Sequence, residues 1–175
     1  MIQKYNKYKI LQEFFDFPTK NFHAREISRN TKIALPSTFN YLKELEKEKL
    51  IVKEKKDTYP SYKANRESNL FKIYKKNDII IKIFNTGLID YIYDACVPDA
   101  IILFGSASKG EDTEGSDIDL FIQSPEKKLN LERFEKILKR EITPFFKEDF
   151  SKLNKELKNN ILNGIIIKGF LRVFK

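Results

Sequence analysis

Two aspartates, Asp117 and Asp119, stand two residues apart in the run Ile101-Ile-Leu-Phe-Gly-Ser-Ala-Ser-Lys-Gly-Glu-Asp-Thr-Glu-Gly-Ser-Asp-Ile-Asp-Leu-Phe-Ile122. On a strand that spacing sends both carboxylates to one face. Paired hard oxygens suit a divalent cation, Mg²⁺ or Mn²⁺, which also binds triphosphate oxygens. Upstream, Gly105 closes an apolar run. Without a Cβ its backbone can come close to a phosphate oxygen. Ser106 adds a hydroxyl where a short helix would begin, and helix starts present N–H groups to anions. Ser116, beside Asp117, is a third candidate for phosphate. A lone Asp-x-Asp says little, but a strand, Gly-Ser, ten residues and then Asp-x-Asp is a specific string.

The elements around it must hold these groups still. Ile101–Phe104 is a continuous apolar run, as a buried strand would be. Asp117–Ile122 alternates acidic and apolar residues, the pattern of a strand with one wet and one dry face. Leu129–Lys139 reads as a helix, Ile142–Phe146 as a third strand, Phe150–Leu162 as another helix and Ile165–Ile167 as a last strand, with Asn163-Gly164 as a stop signal. This is an α/β (α+β) arrangement with a mixed sheet flanked by helices.

The string resembles the signature of the DNA polymerase β-like nucleotidyltransferase superfamily in its minimal form. The likeness is close over residues 101–122 and looser to about residue 167. It implies that Asp117 and Asp119 bind metal and are catalytic, and that Gly105 and Ser106, with Ser116 nearby, hold a nucleoside triphosphate such as ATP. The superfamily usually draws a third carboxylate from a later strand. Here that strand reads Glu141-Ile-Thr-Pro-Phe-Phe-Lys147, and the aligned position falls on Thr143, which cannot act as a base. Glu141, two residues earlier on the same face, is the remaining acidic candidate; its other reading is a surface charge where the strand begins.

The first half of the chain is different in kind. Residues 1–76 hold 18 Lys+Arg against 9 Asp+Glu, whereas residues 77–175 hold 15 against 16. All of the net charge of +8 therefore comes from the first half, as expected where one domain meets a polyanion. Tyr8, Ile10, Leu11, Phe14 and Phe15 have helical spacing up to Phe17-Pro18. Ala24–Arg29 fits a short helix, with Asn30-Thr31-Lys32 turning the chain. A third helix starts near Pro36, a residue suited to a first turn, with Phe39, Leu42 and Leu45 on its core face. Two extended stretches around Asp57–Ser61 read as a hairpin with a turn near Tyr59-Pro60.

Residues 8–66 resemble a winged helix-turn-helix. That resemblance implies a recognition helix at Pro36–Lys47, with Ser37, Thr38, Asn40, Tyr41 and Lys43 toward double-stranded DNA. Lys53, Lys55, Lys56 and Lys63 on the wing would meet phosphates. The same fold also serves in protein binding, and Glu44, Glu46 and Glu48 would repel DNA from the far end of that helix. Leu70 to about Ala95 reads as one long helix with a kink or break at Gly87. The expected division is 1–68 winged helix, 69–97 connecting helix and 98–175 nucleotidyltransferase-like domain.

A single cysteine, Cys96, excludes a disulfide framework within the chain and fits a reducing, cytoplasmic setting. Neither a signal peptide nor an apolar run of membrane length is visible. Two functions follow from the resemblances. One is metal-dependent nucleotidyl transfer to an unidentified acceptor, a protein hydroxyl among them, since small members of the superfamily act as antitoxins that adenylylate partner toxins. The other is a winged-helix regulator whose nucleotidyltransferase domain is a weak or inactive nucleotide sensor or scaffold. A homodimer suits either.

Overall fold

The computed structural model describes residues 5–54 and 59–173, and the chain divides into two compact units, Met1–Lys75 and Lys76–Lys175. The first unit holds α1 (Asn6–Asp16), β1 (Phe22–His23), α2 (Ala24–Thr31), α3 (Leu35–Lys47), β2 (Ile51–Glu54) and β3 (Ser61–Ala64). Helix α1 buries Ile10, Leu11, Phe14 and Phe15, the residues its periodicity selects. Phe14 meets Phe22 edge-on, with ring centroids 5.3 Å apart. The turn after α2 passes through Lys32 at φ +57°. Ser28 closes that turn, its Oγ donating to the Ile33 carbonyl at 2.7 Å. The strands form an antiparallel sheet in the order β1-β3-β2, with Ile51 opposite Ala64 and Glu54 opposite Ser61. The ladder thus includes Ser61 of the expected hairpin, and residues 55–58, with Asp57 among them, lie outside the described residues. The two-residue β1, which pairs Phe22 with Tyr62, is too short to leave a periodic signal.

Helix α3 is turned relative to expectation. Phe39 is 38% exposed, and the buried position belongs to Thr38, which lies with Leu42 and Leu45 at 0% exposure. The stripe thus runs i, i+4, i+7 from Thr38. A hydroxyl can be buried there because the turn below it supplies acceptors: Thr38 Oγ1 donates to the carbonyls of Ala34 at 3.2 Å and Ile33 at 3.3 Å. A buried polar group so satisfied costs little.

The second unit takes the later part of α4 (Asn69–Asn85), then α5 (Leu88–Cys96), β4 (Ala100–Phe104), α6 (Gly105–Lys109), β5 (Ile118–Ile122), α7 (Glu132–Leu138), β6 (Ile142–Phe146), a 3₁₀ turn (Phe150–Lys152), α8 (Lys155–Leu162) and β7 (Ile165–Gly169). The stretch from Leu70 to Ala95 is two helices. The chain breaks at Gly87, which has φ +73°, and Thr86 caps the break by accepting from Leu88 N at 3.3 Å. Ile79, Ile83, Leu88, Ile89 and Ile92 are core residues of this unit, so much of the expected connecting helix is packed rather than a bare linker.

The sheet order is β6-β5-β4-β7, with β5 and β6 parallel and the other pairs antiparallel. Helix α7 makes the crossover that a parallel pair requires. Ile101, Leu103, Ile118, Leu120 and Ile122 face a core with α4, α5 and α7. Ala100, Ile102 and Phe121 face a second core with Phe150, Leu153 and Ile161. Strand β5 is therefore not wet on one face along its length. Beyond Asp119 both faces are dry, because α8 and the 3₁₀ turn cover the side that alternation alone left open. The expected helix Phe150–Leu162 is split at Leu153, and Asn154 caps the second part by accepting from Leu157 N at 2.8 Å. Among the described residues no helix is long and apolar enough to cross a membrane.

Candidate active site

The last residue of β4, Phe104, pairs with Asp119 on β5, which brings the carboxylate beside the turn that follows. Gly105 occupies that turn at φ +69°. A Cβ there would lie 2.2 Å from Asp119 Oδ2. Glycine is needed twice over, for its backbone angle and for the space the acid fills. The Cβ side of Gly105, expected to be open to phosphate, is thus occupied by Asp119. Ser106 is half-buried in the first turn of α6, and its carbonyl accepts from Glu111 N at 3.1 Å. Ser108 Oγ donates to the Gly105 carbonyl at 2.8 Å, bracing the turn from within.

Asp117 lies immediately before β5 and shares the face of Asp119. Thr143 sits opposite Asp119 in the parallel ladder, and its hydroxyl donates to Asp117 Oδ2 at 3.2 Å. The residue at the aligned position of the third acid is thus a hydrogen-bond donor to the first. The Asp119 carboxyl is held above the usual carboxylate range by burial and then by the charge of Asp117, with Arg140 opposing. Two half-buried acids that repel each other form a donor set suited to a hard divalent cation, which keeps waters and takes further oxygens from phosphate. Glu141 is not brought to the pair. It is exposed and borders a groove with Lys136 and Lys139 at the end of α7. Among the described residues no group of three or more His, Cys, Asp or Glu side chains could hold a metal ion.

The residue that the sequence reading missed is Arg140. Its guanidinium donates through Nε to the Ser116 carbonyl at 2.7 Å, through Nη1 to Asp112 Oδ2 at 2.6 Å and through Nη2 to the Asp117 carbonyl at 3.1 Å. One planar fork therefore holds three points of the loop that delivers the aspartates. The Asp112 side chain is 3% exposed, so this is an interior ion pair. Ser116, expected near phosphate, closes the loop's own turn: its Oγ accepts from Thr113 N at 2.9 Å. Nothing in local periodicity marks an arginine just past a helix end. The only signal was the buried Asp112, whose burial sequence does not show.

The candidate DNA-contact residues all belong to the first unit, and they do not form one outward set. Asn40 and Lys43 are exposed, and Ser37 and Lys53 are half-buried. Tyr41 packs against the core. Thr38 is fully buried and is removed from the set. Lys63 is paired with Glu54. Lys55 and Lys56 lie outside the described residues. Glu44 and Glu48 pair with Lys7 of α1 at 3.1 and 2.5 Å, which offsets part of the acidity expected to repel DNA.

Two expectations follow from this geometry. Arg140→Ala removes the guanidinium from a buried pair and should cost about 3–5 kcal/mol in urea unfolding; Arg140→Lys keeps the charge without the fork and should recover only part of that loss. Unchanged stability in both variants would mean that the loop does not depend on the fork. For Asp119, folding raises the pKa, so the native state holds its proton more tightly than the unfolded chain. Stability should then fall as pH rises from the ordinary carboxylate range through the raised value and stay level above it. Asp119→Asn, measured by thermal melting in chelator-treated buffer, should raise the midpoint at neutral pH and lose that advantage at acid pH. A lower midpoint at neutral pH would contradict this account.

Comparison with known proteins gives the site a likeness. No curated protein and no solved structure was found to match the chain. Residues 86–171 match the model of the family described as Polymerase beta, Nucleotidyltransferase, and the match spans α5 to β7 together with the Gly105 turn and both aspartates. Over that stretch the second unit is similar to a nucleotidyltransferase-type domain of that family.

Proposed function

We propose that the chain is a metal-dependent nucleotidyltransferase that moves a nucleotidyl group from a nucleoside triphosphate, ATP in the first instance, to a hydroxyl of an acceptor such as a protein. The observation that carries this reading is the pair Asp117 and Asp119 on one face, the second resting on Gly105. Asp117 and Asp119 would hold Mg²⁺ or Mn²⁺, which would neutralise charge on the transferred phosphoryl unit and align the attacking oxygen. Gly105 and Ser106 would receive the triphosphate beside them, and Thr143 would orient Asp117. Calorimetry with each common nucleoside triphosphate and Mg²⁺ should give heat of association that Asp117→Asn and Asp119→Asn remove. Transfer of label from an α-labelled triphosphate to lysate acceptors should fall roughly a thousandfold in either variant, about 4 kcal/mol of charge stabilisation. Absence of heat with every nucleotide and either metal would refute the reading.

The Thr143 contact favours a second possibility, in which the same site binds nucleotide but transfers slowly. Thr143→Asp separates the two: a third carboxylate should raise transfer if chemistry is limited by its lack, and should leave it at background if the site is a sensor.

The first unit fits a winged helix-turn-helix that binds double-stranded DNA, with three helices followed by a two-stranded wing and α3 as the recognition helix. Support comes from its excess of positive charge and from Asn40 and Lys43 on the outer face of α3. DNA retardation should weaken steeply between low and moderate salt, and Lys43→Ala with Lys53→Ala should weaken it further and flatten the salt slope by roughly two. Affinity indifferent to salt would rule out this role.

A further inference from the structure

Strand β6 brings one hydroxyl to the acid face. Thr143 stands opposite Asp119 in the parallel ladder, and its Oγ1 donates to Asp117 Oδ2 at 3.2 Å. The neighbours of Thr143 fix where that oxygen lies. Ile118 N donates to the Glu141 carbonyl at 2.9 Å, and Ile142 N donates to Glu135 Oε1 at 3.0 Å. Pro144 follows, and a proline restricts the backbone of the residue before it to extended angles. The hydroxyl is also accessible, since Thr143 is exposed while Asp117 and Asp119 are half-buried.

The other hydroxyls around the pair are placed differently. Ser108 is buried and donates to the Gly105 carbonyl at 2.8 Å. Ser116 Oγ accepts from Thr113 N at 2.9 Å and lies 3.2 Å from Thr113 Oγ1, so both side chains close the turn of the aspartate loop. Ser106 is half-buried in the first turn of α6, where the triphosphate is proposed to lie. Among these hydroxyls, Thr143 is the one that combines an exposed oxygen, a fixed position and a proton aimed at a carboxylate. Those are the three needs of an attacking alcohol: access to the electrophile, a held geometry and an acceptor for the proton it gives up.

We infer that Thr143 is itself an acceptor of the nucleotidyl group, so that the chain modifies its own site. The inference rests on the nucleotidyl-transfer reading proposed above and adds the identity of one acceptor. Thr143 Oγ1 forms a bond to the α-phosphorus of the triphosphate. The bond from that phosphorus to the oxygen bridging to the β-phosphate breaks, and pyrophosphate departs with the electron pair. The hydroxyl proton passes to Asp117 Oδ2, the oxygen it already faces, and from there to solvent. The product is a phosphodiester between the threonine and the nucleoside. A held hydroxyl competes with free acceptors at an effective concentration that a diffusing molecule does not reach. The nucleotidyl group left on Thr143 lies against Asp117, so the reaction occurs once per chain and closes the site to a second triphosphate. Self-modification thereby restrains transfer to other acceptors.

The full chain, purified and given ATP with Mg²⁺, should gain one adenylyl group by intact mass, and peptide mapping should place it on Thr143. The rate should be unchanged across about a hundredfold dilution of the protein, because the attack is unimolecular. Heat of association with fresh ATP should fall in proportion to the modified fraction. Thr143→Ser, which keeps the hydroxyl, should still gain the group. Thr143→Val, which keeps the shape without it, should not, and circular dichroism checks that both variants are folded. A wild type that binds ATP with measurable heat but carries no adduct on Thr143 would overturn the inference, and label on lysate acceptors in the same sample would leave the wider reading standing. An adduct on another residue in place of Thr143, a rate that grows with protein concentration, undiminished heat in the modified chain, or a modified Thr143→Val would overturn it as well. Absence of heat with every nucleotide would remove both.

Discussion

The carboxylate of Asp119 occupies the volume that a side chain at position 105 would need. That one close approach ties the end of β4, the start of α6 and the first residues of β5 into a single arrangement. It requires glycine where the chain turns, and it sets the second acid of the Asp-x-Asp pair at the sheet margin. It also leaves that acid partly buried next to another of the same sign, an unfavourable state for the empty protein. Functional sites are where a fold retains such cost, which marks the pair as a candidate site.

The cost is met by fixing the loop that carries the pair. Arg140 spans Asp112, Ser116 and Asp117 with one guanidinium, and Glu135 of α7 accepts from Ile142 N at 3.0 Å where β6 begins. The crossover helix thus positions the strand bearing Thr143 and the arginine that holds the aspartate loop. A planar fork with five donors can do this and an ammonium cannot, since three acceptors in different directions must be met at once. The aspartate loop is therefore held by a residue that lies outside the Gly-Ser and Asp-x-Asp string.

In the first unit the decisive detail is smaller. A rotation of α3 by about one residue exchanges Thr38 for Phe39 between core and surface. The consequence is chemical: the outer surface of the helix gains an aromatic ring and loses a hydroxyl. Periodicity placed the larger apolar residue inside, as transfer free energy alone would. The turn at Ile33-Ala34 decided otherwise by offering two carbonyls to the threonine.

By itself the sequence determined which segments become helices and strands wherever the apolar period is strong: α1, α2, β4 and β6. It also pointed to Gly105, Asp117 and Asp119 as neighbours, because the string that joins them is read along the chain, and the structure does bring them together. It marked Gly87 as a breakpoint, since a left-handed φ in a helical run leaves a glycine behind. What only the tertiary structure decided depends on partners distant in sequence. Phe121 is buried because Phe150 and α8 come back over the sheet, which alternation within five residues cannot report. Glu141 borders a groove at the end of α7, while its backbone carbonyl accepts from Ile118 N at 2.9 Å. Arg140 reaches the loop at Asp112, 28 positions earlier in the chain. Local order follows from propensity and period, whereas burial on the second face of a sheet and the direction of a long charged side chain are set by whatever packs there last.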